Sequence, residues 1–120
     1  MKRTGPTNVY VKELIEKLKK KSLELNAPIW KAVAEKLERP RRKKIEVNLG
    51  KIDKYTKAGD TVIVPGVVLG NGNLTKQIRI AALRFSSSAE KKIRESKSEI
   101  LSIERLLEEN PKGSGVKILG

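Results

Sequence analysis

The residues best suited to chemistry in this sequence are cationic. Arg39-Pro40-Arg41-Arg42-Lys43-Lys44 places five positive side chains in six positions around a proline. Proline blocks a regular helix, so an extended segment is expected there, along which successive cations can follow a phosphate backbone. Arg39, Arg41 and Arg42 can bond phosphate oxygens in pairs, whereas Lys43 and Lys44 act as point charges. A solvated linker or a nuclear-import signal is the plainer alternative for such a run. The overall charge favours nucleic acid. Lys19-Lys20-Lys21 is a second candidate, weighed against a solvated helix face, because Glu13 and Glu16 stand at i,i+4 spacing from Lys17 and Lys20. Lys2 and Arg3, in a short polar arm, complete the N-terminal set.

Other arrangements carry less. Gly70-Asn71-Gly72-Asn73 invites comparison with phosphate-cradling loops, but a strand pattern follows it and the glycine-lysine-serine ending of a P-loop is missing. It reads as a turn between strands, with Asn71, Lys76, Arg79 and Arg84 as nearby candidates for RNA contact. Ser88 and Lys91 match a serine-x-x-lysine spacing without its companion motifs, and serines before a helix are ordinarily caps. Asp53 and Asp60 are too isolated for a metal-dependent nuclease. Histidine and cysteine are absent, which removes the commonest general base, the thiolate nucleophile and most metal sites. No enzyme is expected. Trp30 and Phe85 fall on apolar faces and are expected in the core, leaving no exposed pair on which to stack bases; recognition should then rest on phosphates and RNA shape.

The charge balance agrees with this. Over 120 residues, 27 lysines and arginines oppose 14 acids for a net +13, an excess that calls for a polyanionic partner. It is uneven: residues 1–44 carry +9, residues 45–85 carry +3 and residues 86–120 carry +1. The anionic partner is expected mainly against the first third. An anionic membrane would also satisfy the charge, but apolar runs are short and no signal-peptide pattern opens the chain, so a soluble cytoplasmic protein is expected.

The elements that must position these residues follow from periodicity. Thr7 or Asn8 is expected to cap a helix with Val11, Leu14, Ile15, Leu18, Ser22 and Leu25 inward. Pro28 suits the first turn of a second helix, facing inward through Ile29, Val33 and Leu37 and stopped by Pro40. The period then changes to two at Ile45, Val47 and Leu49, a strand ended by Gly50, with a helical turn around Ile52 to Tyr55. Thr61 to Val64 and Val67 to Leu69 read as two short strands about a Pro65-Gly66 turn. Lys76 to Phe85 is the best strand, with Ile78, Ile80 and Ala82 on one side and Arg79, Ala81 and Leu83 on the other. Ser87 and Glu90 have the form of a capping box, predicting a helix to about Ser96. Ile100-Leu101 reads as a brief strand, Ser102 as the cap of a last helix, and Val116 to Leu119 as an edge strand. The fold class is α+β: a basic helical segment over residues 1–44 with a short arm, then a mixed β/α domain over residues 45–120, in one compact unit.

Several ordered blocks resemble a known family. Gly5-Pro6-Thr7-Asn8, Ala27-Pro28-Ile29-Trp30-Lys31, Val33-Ala34-Glu35, Pro40-Arg41-Arg42 and Glu46-Val47-Asn48 are similar to the archaeal and eukaryotic large-subunit ribosomal protein numbered eighteen. Leu69-Gly70-Asn71-Gly72, Leu74-Thr75-Lys76, Ala81, Phe85-Ser86-Ser87-Ser88-Ala89 and Lys92-Ile93 resemble a portion shared with the bacterial large-subunit protein numbered fifteen. The short chain looks like the archaeal type. The resemblance implies a structural constituent of the large ribosomal subunit that binds ribosomal RNA beside neighbouring ribosomal proteins. It also implies a C-terminal part built as an irregular superhelix of β-β-α turns, and no cofactor, small-molecule substrate or membrane partner. A free-standing DNA- or RNA-binding module outside the ribosome is the alternative.

Overall fold

Apolar residues at helical spacing, punctuated by proline, build the first two elements. The computed structural model describes residues 6–38 and 45–119, with side chains from residue 9 onward. Helix α1 spans Pro6–Leu25 and α2 spans Pro28–Leu37. Helix α1 begins at Pro6, so Thr7 and Asn8, expected as caps, fall inside its first turn; proline suits that position because no N–H is needed there. Asn26, at φ +52, turns the chain after α1. The Ser22 hydroxyl donates to the Ala27 carbonyl at 3.0 Å, closing the corner to α2. Pro40, the expected stop of α2, lies outside the described residues, and the helix ends at Leu37.

The remainder alternates strands and helices: β1 Glu46–Asn48, α3 Leu49–Lys54, β2 Thr61–Leu69, β3 Arg79–Phe85, α4 Ser87–Glu95, β4 Glu99–Ser102, α5 Ile103–Glu109 and β5 Val116–Ile118. All recorded pairings are parallel, in the order β1-β2-β3-β4, with β5 also on β2. β5 pairs with Thr61–Ile63 and β1 with Val67–Leu69, so the two share one edge of β2 while β3 takes the other. Successive parallel strands, each reached after a crossover, form one five-stranded sheet, consistent with the α+β expectation.

The division point on that shared edge is Pro65-Gly66. These residues, expected as a turn between two strands, lie inside one continuous β2, where the register with β3 shifts between Val64 and Val67. A bulge accommodates a residue without an N–H. Gly66 is required for a separate reason: a Cβ there would collide with the carbonyl oxygen of Ile45.

Both faces of the sheet are covered, as a parallel sheet requires. On one face Val62, Val64, Val68, Ile80 and Ala82 pack with Leu49 and Ile52 of α3 and Ala89 and Ile93 of α4. On the other, Ile63, Ala81 and Leu101 share a core with Leu14 and Leu18 of α1, Trp30 and Val33 of α2, and Leu106 of α5. The alternation expected along β3 is therefore real, with both of its faces apolar because both are buried.

Several boundaries differ from expectation. β1 stops at Asn48, and Leu49 and Gly50 belong to α3. β3 begins at Arg79, because Lys76 and its neighbours form a crossover strap. Ser86, not Ser87, caps α4: its hydroxyl accepts from the Ala89 amide at 3.2 Å. Ser102 caps α5 as expected, accepting from the Arg105 amide at 3.1 Å. Trp30 is fully buried and its indole N–H donates to the Pro111 carbonyl at 2.7 Å. Phe85 is only half-buried, packed against the edge of the core.

Candidate nucleic-acid interface

Because the strands are parallel, the residues after β1, β2, β3 and β4 lie at one end of the sheet, the carboxyl end, with the residues before them at the other. This sorts the candidate residues. Asn71 follows β2 and Arg84 stands near the end of β3, so both belong to the carboxyl end. Lys76 and Arg79 precede or open β3 and belong to the amino end, about 20 Å away along a seven-residue strand.

The carboxyl end is built on the Gly70–Asn73 loop, held from three sides. The Lys92 ammonium on α4 donates to the carbonyls of Gly70 and Gly72, each at 2.7 Å. The Asn71 amide donates to Asn48 Oδ1 at 3.2 Å, and the Gly50 amide to the Asn71 carbonyl at 2.9 Å. Gly72 sits at φ +86, and a Cβ there would lie 2.6 Å from the Gly50 Cα. The loop can therefore lie flat on the start of α3 only without a side chain at that position. Asn71 and Asn73 stay exposed, beside exposed Lys51, Arg84 and Lys91. Lys51, Lys91 and Lys92 went unnoticed as members of this region; Lys92 is twenty or more residues from its acceptors, and only a contact across the fold discloses it.

The amino-end residues are committed inward. The Lys76 ammonium donates to the carbonyls of Asp53 and, at 2.7 Å, Thr56, placing a cation on the carbonyl-rich end of α3 where the helix dipole favours it. Asp53 also receives the Thr75 amide at 2.9 Å. That amide, helped by the Thr75 hydroxyl and the nearby Lys76, holds the Asp53 carboxyl below its ordinary range against an opposing desolvation. Arg79 bonds Glu109 and, through Nε at 3.1 Å, Glu99, and Arg105 Nε joins Glu109 at 2.8 Å. The bonds from Arg105 and Arg79 pull the Glu109 carboxyl down, and those from Glu109 and Glu99 raise the Arg79 guanidinium.

On the helical layer, Lys19 pairs with Glu38 at 2.9 Å and Lys21 with Glu24 at 3.3 Å. Lys20 is exposed and makes no ion pair among the described residues. Lys17 bonds Glu104 of α5 at 3.4 Å, where Tyr10 also donates at 3.0 Å, instead of pairing with Glu13. The strongest candidates, Arg39, Arg41, Arg42, Lys43 and Lys44, and with them Lys2 and Arg3, lie outside the described residues. Those seven cations stand among no acids, so the described residues carry a net +6 of the chain's +13.

The arrangement defines a class first: a small α+β scaffold with outward-facing cations, whose described residues include no group of His, Cys, Asp or Glu able to hold a metal ion and no helix long and apolar enough to cross a membrane. The family model described as ribosomal protein 60S L18 and 50S L18e matches residues 1–120, and the chain belongs to that family. The large ribosomal subunit protein eL18 of Methanopyrus kandleri is 51% identical over 121 residues, covering 97% of this chain and 95% of its own. The protein of the same name from Archaeoglobus fulgidus is 49% identical over 119 residues, covering 99% of each. That of Pyrobaculum aerophilum is 43% identical over 116 residues, covering 97% of this chain and 95% of its own. The further likeness to the bacterial protein numbered fifteen is not carried by these matches.

Proposed function

We propose that this protein is a structural constituent of the large ribosomal subunit, working in the cytoplasm without catalysis and without a cofactor, and binding ribosomal RNA through phosphate and shape contacts. The observation that carries the reading is the family match along the whole chain, joined to a cation excess that demands a polyanion. The RNA-facing set is Lys2, Arg3, Lys19, Lys20, Lys21, Arg39, Arg41, Arg42, Lys43, Lys44, Asn71, Lys76, Arg79 and Arg84. Within it, Lys20, Asn71 and Arg84 are the described members whose side chains are exposed and unpaired. Lys76 and Arg79 contribute mainly by bracing the crossover and the amino end of the sheet, since their donors are already bonded internally. Residues 1–44 act as the basic segment and residues 45–120 as the domain that positions it. Neighbouring ribosomal proteins are the remaining partners.

The test is a filter-binding series of the full chain on protein-free large-subunit RNA over a range of salt. Replacing Arg39, Arg41, Arg42, Lys43 and Lys44 by glutamine should weaken binding and flatten the log–log salt dependence by about 0.7 to 0.9 per lost phosphate contact, with the melting temperature unchanged. An unchanged slope places the main contact elsewhere.

A further inference from the structure

One surface groove remains unaccounted for by phosphate contacts alone. It runs along α4 beside the end of β3, has a volume of about 520 Å³, and is lined by Phe85, Ser87, Glu90, Lys91, Arg94 and Glu95. The size lies within the roughly 300–1,000 Å³ of small-ligand sites. Phe85 is set apart from the other aromatics: Trp30 is fully buried, the Tyr10 hydroxyl is bonded to Glu104, and the Tyr55 ring has the Lys54 ammonium 5.7 Å from its centroid. Phe85 packs against the core while still lining the groove.

The rim is mixed. Lys91 is exposed and makes no ion pair among the described residues, while Arg94 lies 3.6 Å from Glu90 and is itself largely exposed. Carboxylates at Glu90 and Glu95 would repel a run of phosphates. They suit a nucleobase, whose edge offers donors to an acid and acceptors to a cation. An aromatic floor, a two-signed rim and an unpaired lysine together fit one nucleotide better than a stretch of backbone.

We propose that this groove receives a single unstacked nucleotide of RNA, its base against Phe85 and its phosphate toward Lys91 and Arg94. The inference rests on the RNA-binding reading above and adds a base contact to it. A side chain from a neighbouring protein is the competing occupant.

Three measurements on the full chain decide it. Large subunits carrying the protein are irradiated at 254 nm and digested, and a nucleotide adduct is expected on Phe85. The F85L variant should bind protein-free large-subunit RNA roughly 5- to 150-fold more weakly, the range of one base–aromatic stack, with the salt slope unchanged because no phosphate contact is lost. The K91Q/R94Q double variant, both positions exposed on α4, should flatten the slope by about 0.7 for the one phosphate lost. If F85L lowers the melting temperature too far for use, the adduct and the double variant decide alone. An unmodified Phe85 with an unchanged slope in the double variant overturns the proposal, as does a cross-link from Phe85 to a protein segment. If the unaltered chain fails to bind the RNA at all, the broader reading fails instead, and the two failures are distinct.

Discussion

Replacing Lys92 by methionine keeps most of the side chain's volume and removes the ammonium that holds the Gly70–Asn73 loop. Two hydrogen bonds of 2.7 Å to backbone carbonyls are lost. Bonds of this charged kind are worth about 1.5–3 kcal/mol each. Lys92 is partly exposed, so water replaces much of what is lost and the expected cost falls to roughly 1–3 kcal/mol. At about 3–5 °C per kcal/mol for a chain of this size, the melting temperature should drop by about 3–15 °C. The loss should also be local. The Gly50 amide, bonded to the Asn71 carbonyl at 2.9 Å, should exchange its hydrogen faster than amides in β2 and β3, because the loop that shields it is no longer tethered. Differential scanning calorimetry and amide exchange by NMR read the two effects, with Lys92→Arg as a charge-retaining comparison. A melting temperature within 1 °C of the unaltered protein, together with full Gly50 protection, would show that the loop is held without Lys92 and refute this account of the carboxyl end.

Two further outcomes follow from the same geometry. Gly72→Ala should destabilise by about 2 kcal/mol or more, since the backbone sits at φ +86 and the new Cβ would lie 2.6 Å from the Gly50 Cα; chemical denaturation checks this, and an unchanged midpoint would contradict it. Asp53, Asp60 and Glu109 all have carboxyl pKa values lowered in the folded chain, chiefly by the Thr75 amide, the Lys57 amide and Arg105 respectively. A depressed carboxyl contributes stability that is fully present above its unfolded value near 4 and is lost as pH falls through the folded value. Unfolding free energy should therefore be flat from pH 7 to about 5 and decline below about 4, less steeply in Asp60→Asn; a decline that begins near neutral pH would point to other groups.

Much of the fold was legible because it is written in local patterns. The helical spacing of Leu14 and Leu18, and Pro28 at a helix start, identify α1 and α2 without tertiary information. The period-two pattern around Ile80 and Ala82 identifies β3, although that both of its faces are covered emerges only from the packing. Local chemistry misled where a long-range ladder overrode it. Pro65-Gly66 has the composition of a turn, yet Thr61–Val64 and Val67–Val68 both pair along β3, and β5 and β1 divide the opposite edge, so the dipeptide becomes a bulge. Three consecutive serines leave the cap of α4 undecided by spacing alone; the end of β3 selects Ser86. Phe85 looked like a core residue because it ends an apolar strand, and strand patterning cannot tell a covered end from an open one.

The interface was less legible. Charge density singled out the run from Arg39 to Lys44, which needs no fold to be visible. Nearness in sequence to the Gly70–Asn73 turn marked Lys76 and Arg79, whose positive charge serves internal acceptors, and passed over Lys92, whose partners Gly70 and Gly72 lie far away in the chain. Spacing shows that a cation exists. Only packing shows what it is bonded to.

Membership of the large ribosomal subunit through RNA contacts dominated by phosphate is tested most directly by sedimentation of cell extract in sucrose gradients at low and high salt. The chain should travel with large subunits at low salt and be progressively released as salt rises. A chain found entirely free of large subunits at low salt would contradict it.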